Sequence, residues 1–242
     1  PTPTPTPTPT PVIENVDIPA DSSPEELAAA VAELDTALDS TIDQADSIVT
    51  QLNQGGGNSS EALTIIESLA TGLEKVGEAT TAGAIVDTDG TNDSVKVIAS
   101  LLEAVSKSNT PLTAAQKLQV QTLTKTVLTR VTATISSALN VVEATELTRN
   151  LSNALKASSD ASGATLDADT VNNAKAIQNS LIQTVLGKVA TNAGKPGVTF
   201  TSEADTQALI TEDSTLREEL LKTVAIDVPG ATTDKNGLLA AT

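Results

Sequence analysis

Residues Ser23 to Gly57 read SPEELAAAVAELDTALDSTIDQADSIVTQLNQGGG, and their spacing decides the fold class. Leu27, Leu34, Thr41 and Ile48 interleave with Val31, Leu38, Ala45 and Leu52 at alternating steps of four and three, and Ile42 and Val49 widen the stripe. Such steps return to one face of a helix, so the stretch predicts an amphipathic helix of the bundle or coiled-coil kind. Ser23 is placed to cap it, Pro24 suits the first helical position, and Glu25 and Glu26 complement the helix dipole. Glu33, Asp35, Asp39, Asp43 and Asp46 fall off the apolar seam, and Gly55 to Gly57 end the helix.

The same signature recurs along the chain. A second helix is expected from Ser60 to about Thr80 on Leu63, Ile66, Leu69 and Leu73. A loop holding Asp87, Asp89 and Gly90 then leads to a third helix, Asp93 to Lys107, with Val97, Leu101 and Val105 inward. Asn109-Thr110-Pro111 breaks the pattern. From Leu112 to Ser162 there is no Gly and no Pro, which suits one helix of about 45 residues or two helices bent near Ser136 to Asn140. A further helix covers Asp169 to Ala193, before Gly194-Lys195-Pro196-Gly197, and a last helical region lies between Ser202 and Thr223.

An internal echo accompanies these helices. Gly83-Ala84 followed by Asp87, Asp89 and Asn92 recurs as Gly163-Ala164 followed by Asp167, Asp169 and Asn172. Ser100, Leu101 and Val105 match Ser180, Leu181 and Val185 at the same offset, which suggests a duplicated helix–loop–helix unit.

The expected architecture is mainly α: an elongated antiparallel helical bundle with a few short strand-like segments and an N-terminal polyproline-II arm. Four parts follow: 1–19, the Pro-Thr arm and an extended segment; 20–109, an acidic helical half; 110–196, a half built on long helix; and 197–242, a short strand–helix–strand tail. Pro1 to Pro11 alternate strictly with Thr, which holds the chain extended over about 30 Å. Thr2, Thr4, Thr6, Thr8 and Thr10 are candidate O-glycosylation sites on this arm. Val12, Ile13, Val16 and Ile18 follow as an apolar run closed by Pro19. Val198 and Phe200 flank Thr199, while Val224, Ile226 and Val228 alternate with Ala225 and Asp227. These runs read as strands, and they are the candidate interface: the first is expected to pair with one of the other two, within the chain or across to a neighbour.

Composition excludes more than it assigns. The 242 residues contain no His, Cys, Met, Trp or Tyr and one Phe, Phe200. There is no imidazole base and no thiolate, and a Ser or Thr nucleophile would have Lys, Asp or Glu as its activator. No phosphate loop, nucleophile elbow or zinc spacing is present, so no enzyme activity, catalytic residue or cofactor is expected. The net charge of −17 and pI near 4.2 oppose contact with phosphate backbones, and there are no aromatic platforms for bases, so nucleic acid is not an expected partner. No stretch approaches the ~20 apolar residues of a membrane span.

Asp87-Thr88-Asp89-Gly90-Thr91-Asn92-Asp93 is the string with metal-site character, because oxygen ligands at alternate positions around a Gly turn suit Ca²⁺. It resembles the first half of a Ca²⁺ loop of EF-hand type, but Ile98 stands where such a loop carries its bidentate Glu. Asp87, Asp89 and Asp93 are therefore candidate ligands, set against plain helix capping. Asn58, Asn92 and Asn150 head N-glycosylation triplets. No Lys or Arg precedes Lys75, whereas Thr110 to Ala157 carries Lys117, Lys125, Arg130, Arg149 and Lys156 against Glu143 and Glu146, so the two regions attract each other.

The chain opens on Pro-Thr without an initiator Met, a start that a removed secretion signal would fit; the extracellular space or cell surface is the expected location of a Thr- and Ser-rich chain with no oxidisable Cys or Met. The functional expectation is a non-catalytic extracellular structural protein, a homo-oligomeric subunit of a filament or surface array whose arm contacts a neighbour. The alternative is a monomeric adhesion or binding module anchored to a surface on a Pro-Thr stalk.

Overall fold

The computed structural model describes residues 13–19, 23–84, 88–135, 141–192 and 226. Among them are six α-helices: α1 (Pro24–Asn53), α2 (Ser59–Thr81), α3 (Thr88–Lys107), α4 (Ala114–Thr134), α5 (Val141–Ser162) and α6 (Ala168–Asn192). Each of the five connections spans five or six residues, short enough to turn every helix back against its predecessor.

The helix ends follow local chemistry. Ser23 accepts from the Glu26 N–H while Glu26 accepts from the Ser23 N–H at 2.9 Å, a reciprocal capping box. Thr113 and Gln116 make the same box at the start of α4. At the end of α1, Gly55 turns to φ 78°, and the N–H groups of Gly55 and Gly56 bond back to Leu52 and Gln51. Gly83, at φ 92°, closes α2 in the same way.

The helices stack in two rows. Each packs against its successor and against the next but one, so α1, α3 and α5 form one row and α2, α4 and α6 the other. The broadest contacts are α3 with α5 and α2 with α4. They cross the expected boundary at 109/110, and one aliphatic core joins both halves, running from Leu34, Leu38 and Leu69 through Leu101 and Val120 to Leu151 and Ile177. With no aromatic among the described residues, the core is assembled from Leu, Ile, Val and Ala at repeated helical spacing, which suits thin helix-on-helix layers.

Threonine-rich helix is a poor helix former by propensity, and α4 shows how it is accommodated. Thr122, Thr124, Thr126, Thr129 and Thr132 each donate to the carbonyl four residues earlier, at 2.8–3.0 Å. The hydroxyl is thereby satisfied inside the helix and its methyl is left to pack.

Several expectations change. The run from Ile13 to Ile18 is not a strand: Ile13–Asn15 form a 3-10 turn and Val16 to Pro19 are irregular, while Val12 lies outside the described residues. One 3-10 turn brings positions i and i+3 to the same side, so Ile13 and Val16 are buried together, where strand alternation would have separated them. No strand occurs among the described residues. Val198, Phe200, Val224 and Val228 lie outside them, as do the arm, the threonines it carries and the Ser202–Thr223 region. The helix α3 begins at Thr88, five residues before the expected Asp93, so Asp89 and Gly90 are helical. Between Leu112 and Ser162 there are two helices; α4 ends as Ile135 turns extended at ψ 110°. The echoed stretches occupy corresponding places: Gly83 and Gly163 both end helices at positive φ, and α3 and α6 both begin five residues later.

Candidate functional site

A concavity lies between α2 and α4 and is closed along one side by the N-terminal segment. Its volume is about 730 Å³, and its walls include Asp17, Ile18, Gly77, Glu78, Arg130 and Ala133. Small residues set the helix separation here: a Cβ on Gly77 would stand 3.0 Å from that of Ala133. Four of its charged groups are paired. Arg130 Nη2 meets Glu74 Oε2 at 2.6 Å across the two helices, and Lys75 Nζ meets Glu78 Oε2 at 3.1 Å. Thr81 donates to the Gly77 carbonyl at 2.8 Å, and Thr129 donates to Lys125 while accepting from Asn173 at 3.0 Å. The walls are thus made of ion pairs and of hydroxyls bonded to backbone or to a neighbouring amide.

The segment flanking this groove is the best-defined feature that sequence reading misassigned. Ile13, Val16 and Ile18 are 2%, 3% and 9% exposed, and the segment packs mainly on α2 and also on α1. Gly72 makes the room: a Cβ there would fall 2.4 Å from Leu38 Cδ2 and 3.5 Å from Ile13 Cδ1. Of the expected interface residues, these three are therefore core residues of their own chain. Ile226 is also fully buried, and its N–H donates to Gln178 Oε1 of α6 at 2.9 Å. The partner for that backbone group is a helix side chain, where a strand edge was expected. The signal for the turn was the three-residue step from Ile13 to Val16.

The expected calcium ligands divide. Asp87 lies outside the described residues, while Asp89 and Asp93 are exposed on the first turns of α3. With Asp35 and Asp39 of α1 they line a crevice of about 190 Å³. Among the described residues no group of three or more carboxylates is arranged to hold a metal ion. Asp89 sits in the first turn of α3, where a carboxylate favours the helix dipole. At the echoed position the role is capping: Asp167 accepts from the Thr170 N–H at 2.7 Å.

Shifted ionisations belong to caps and surface pairs. Hydrogen bonds from Thr170, with the Lys125 charge adding, hold Asp167 below the usual carboxylate range, and Ser23 does the same for Glu26. Hydrogen bonding to Asp169 raises Lys125, and Asp160 raises Lys156. The basic middle of the chain thus meets acid within the fold, through Arg130 with Glu74 and Lys125 with Asp169.

Two of the three N-glycosylation triplets are closed by packing. Asn92 and Asn150 are buried between α3 and α5, where Asn150 Nδ2 donates to the Asn92 carbonyl and Asn92 Nδ2 to that of Glu143, both at 3.3 Å. Asn58 is exposed and caps α2 by accepting from the Ser60 N–H at 2.9 Å. Among the described residues no helix is long and apolar enough to cross a membrane. No protein-family model, no curated protein and no solved structure matches this chain.

Proposed function

We propose that this chain is a non-catalytic structural protein of the cell exterior, in which a stiff Pro-Thr arm carries a rigid helical stack that serves as an adhesion or binding module. The observation that supports this reading best is the burial of Ile13, Val16 and Ile18 against α2. In sequence the arm precedes a segment built into the core, which would couple arm and stack at their junction. The groove beside that junction, with Arg130 paired to Glu74 and Lys75 to Glu78, suits docking of a partner surface. The echo around Gly83 and Gly163 fits a stack lengthened by duplication.

The reading is tested by time-resolved fluorescence anisotropy of a dye on an Asn15→Cys variant, since Asn15 is exposed and the chain has no other cysteine. A decay dominated by whole-molecule tumbling is expected. Fast independent motion of the dye-bearing segment would remove the coupled junction and with it the proposal.

Self-assembly into a filament or surface array is the second reading. It is favoured by one observation: the seat on α2 is complementary to a segment that every copy carries.

A further inference from the structure

We propose that Asn58, at the turn between α1 and α2, is an acceptor for an N-linked oligosaccharide carried on its Nδ2. Three Asn-X-Ser triplets are present, headed by Asn58, Asn92 and Asn150. A triplet of this kind can keep a glycan only where the fold leaves room for a bulky, hydrated group. The fold separates the three by which amide atom it uses.

At Asn92 and Asn150 the nitrogen is engaged. Asn150 Nδ2 donates to the Asn92 carbonyl and Asn92 Nδ2 to that of Glu143, both at 3.3 Å and both buried where α3 meets α5. A sugar on either nitrogen would displace one of these bonds and drive a hydrated group between packed helices. At Asn58 the oxygen is engaged instead. Asn58 Oδ1 accepts from the Ser60 N–H at 2.9 Å and so caps α2. The residue is exposed, and its Nδ2 has no hydrogen-bond partner among the described residues. Substitution on Nδ2 leaves Oδ1 an acceptor, so the cap survives glycosylation. There is open space beside it, since a Cβ on nearby Gly56 would meet nothing within 4 Å. In the transfer, the C1–O bond of a lipid-pyrophosphate-linked oligosaccharide breaks and a C1–Nδ2 bond forms. Nδ2 gives up one proton and the lipid pyrophosphate leaves. Access to that donor rests on the proposed location at the cell exterior; the acceptor geometry does not.

The test uses the full chain, secreted behind a host signal sequence from eukaryotic cells that make N-glycans. Release of the glycans by peptide N-glycosidase in heavy-oxygen water turns each occupied Asn into a mass-tagged Asp. A tag at Asn58, with Asn92 and Asn150 untagged, is expected. Ser60→Ala should abolish the tag at Asn58 while keeping the cap, which uses the Ser60 N–H. A secreted, helical chain that is bare at Asn58 would overturn the proposal. So would a tag at Asn92 or Asn150 in the folded protein, because the bonded amide atom would then not decide occupancy. The host supplies both signal and donor, so neither result bears on the exterior reading, whose own test is the anisotropy decay.

Discussion

Asp167 shows how a single side chain links loop chemistry to stability. Its carboxylate accepts from Thr170 at the start of α6 and is held below its ordinary value of 3.8. A carboxyl group whose folded value is depressed contributes stability above its unfolded value and loses it as the pH falls through the folded one. The share of stability that Asp167 contributes should therefore be lost as the pH falls below the ordinary carboxylate value. Asp167→Asn keeps the acceptor but cannot titrate, so its melting curve should be flatter against pH there; an unchanged slope would remove Asp167 from the acid response. Gly57 gives a steric counterpart. A Cβ there would lie 2.6 Å from the Leu52 backbone nitrogen, which cannot swing aside as a side chain can. Gly57→Ala should cost about 1–3 kcal/mol, measured by urea denaturation.

At the level of elements, the α2–α4 contact depends on small residues facing each other. Gly77 abuts Ala133, and Arg130 reaches Glu74 across the same seam. Gly77→Val should force the helices apart, break the Arg130–Glu74 pair and destabilise the fold by about 1–3 kcal/mol. Calorimetry of the variant checks this, and undiminished stability would mean that α4 shifts freely. The caps at Ser23 and Gly55 were legible because they depend on neighbours in sequence. The start of α3 was not, because Asp, Gly and Asn in close succession signal turns, whereas Thr91, Asn92 and Ser94 are buried in a helix that has begun at Thr88. The division of Leu112–Ser162 was half legible: position without outcome.

For the whole molecule, the segment Ile13 to Ile18 is the decisive piece. Deleting residues 1–18 removes three buried aliphatic side chains, each contributing about 1.5–3 kcal/mol. Stability measured by urea denaturation should fall by several kcal/mol, and unchanged stability would show that the segment is a passive tether. Calcium is expected to be neutral: EDTA and excess Ca²⁺ should leave the melting temperature where it is, because a bound ion would otherwise stabilise by mass action. A rise with Ca²⁺ would restore Asp87, Asp89 and Asp93 as ligands.

Helical class, the seam of α1, the caps and the aliphatic character of the core were set by sequence, through periodicity, propensity and the absence of aromatics, all of which act over a few residues. The fate of Val12 to Ile18 could not be read that way. VIENVDI satisfies both strand alternation and a three-residue turn, and the choice fell to the space left by Gly72 between α1 and α2. The same holds for Asn92 and Asn150, which are polar acceptor motifs in sequence and buried hydrogen-bonding groups once α3 meets α5. Local spacing determines which elements form; which surface each one covers depends on partners far away in the chain, and only their packing decides it.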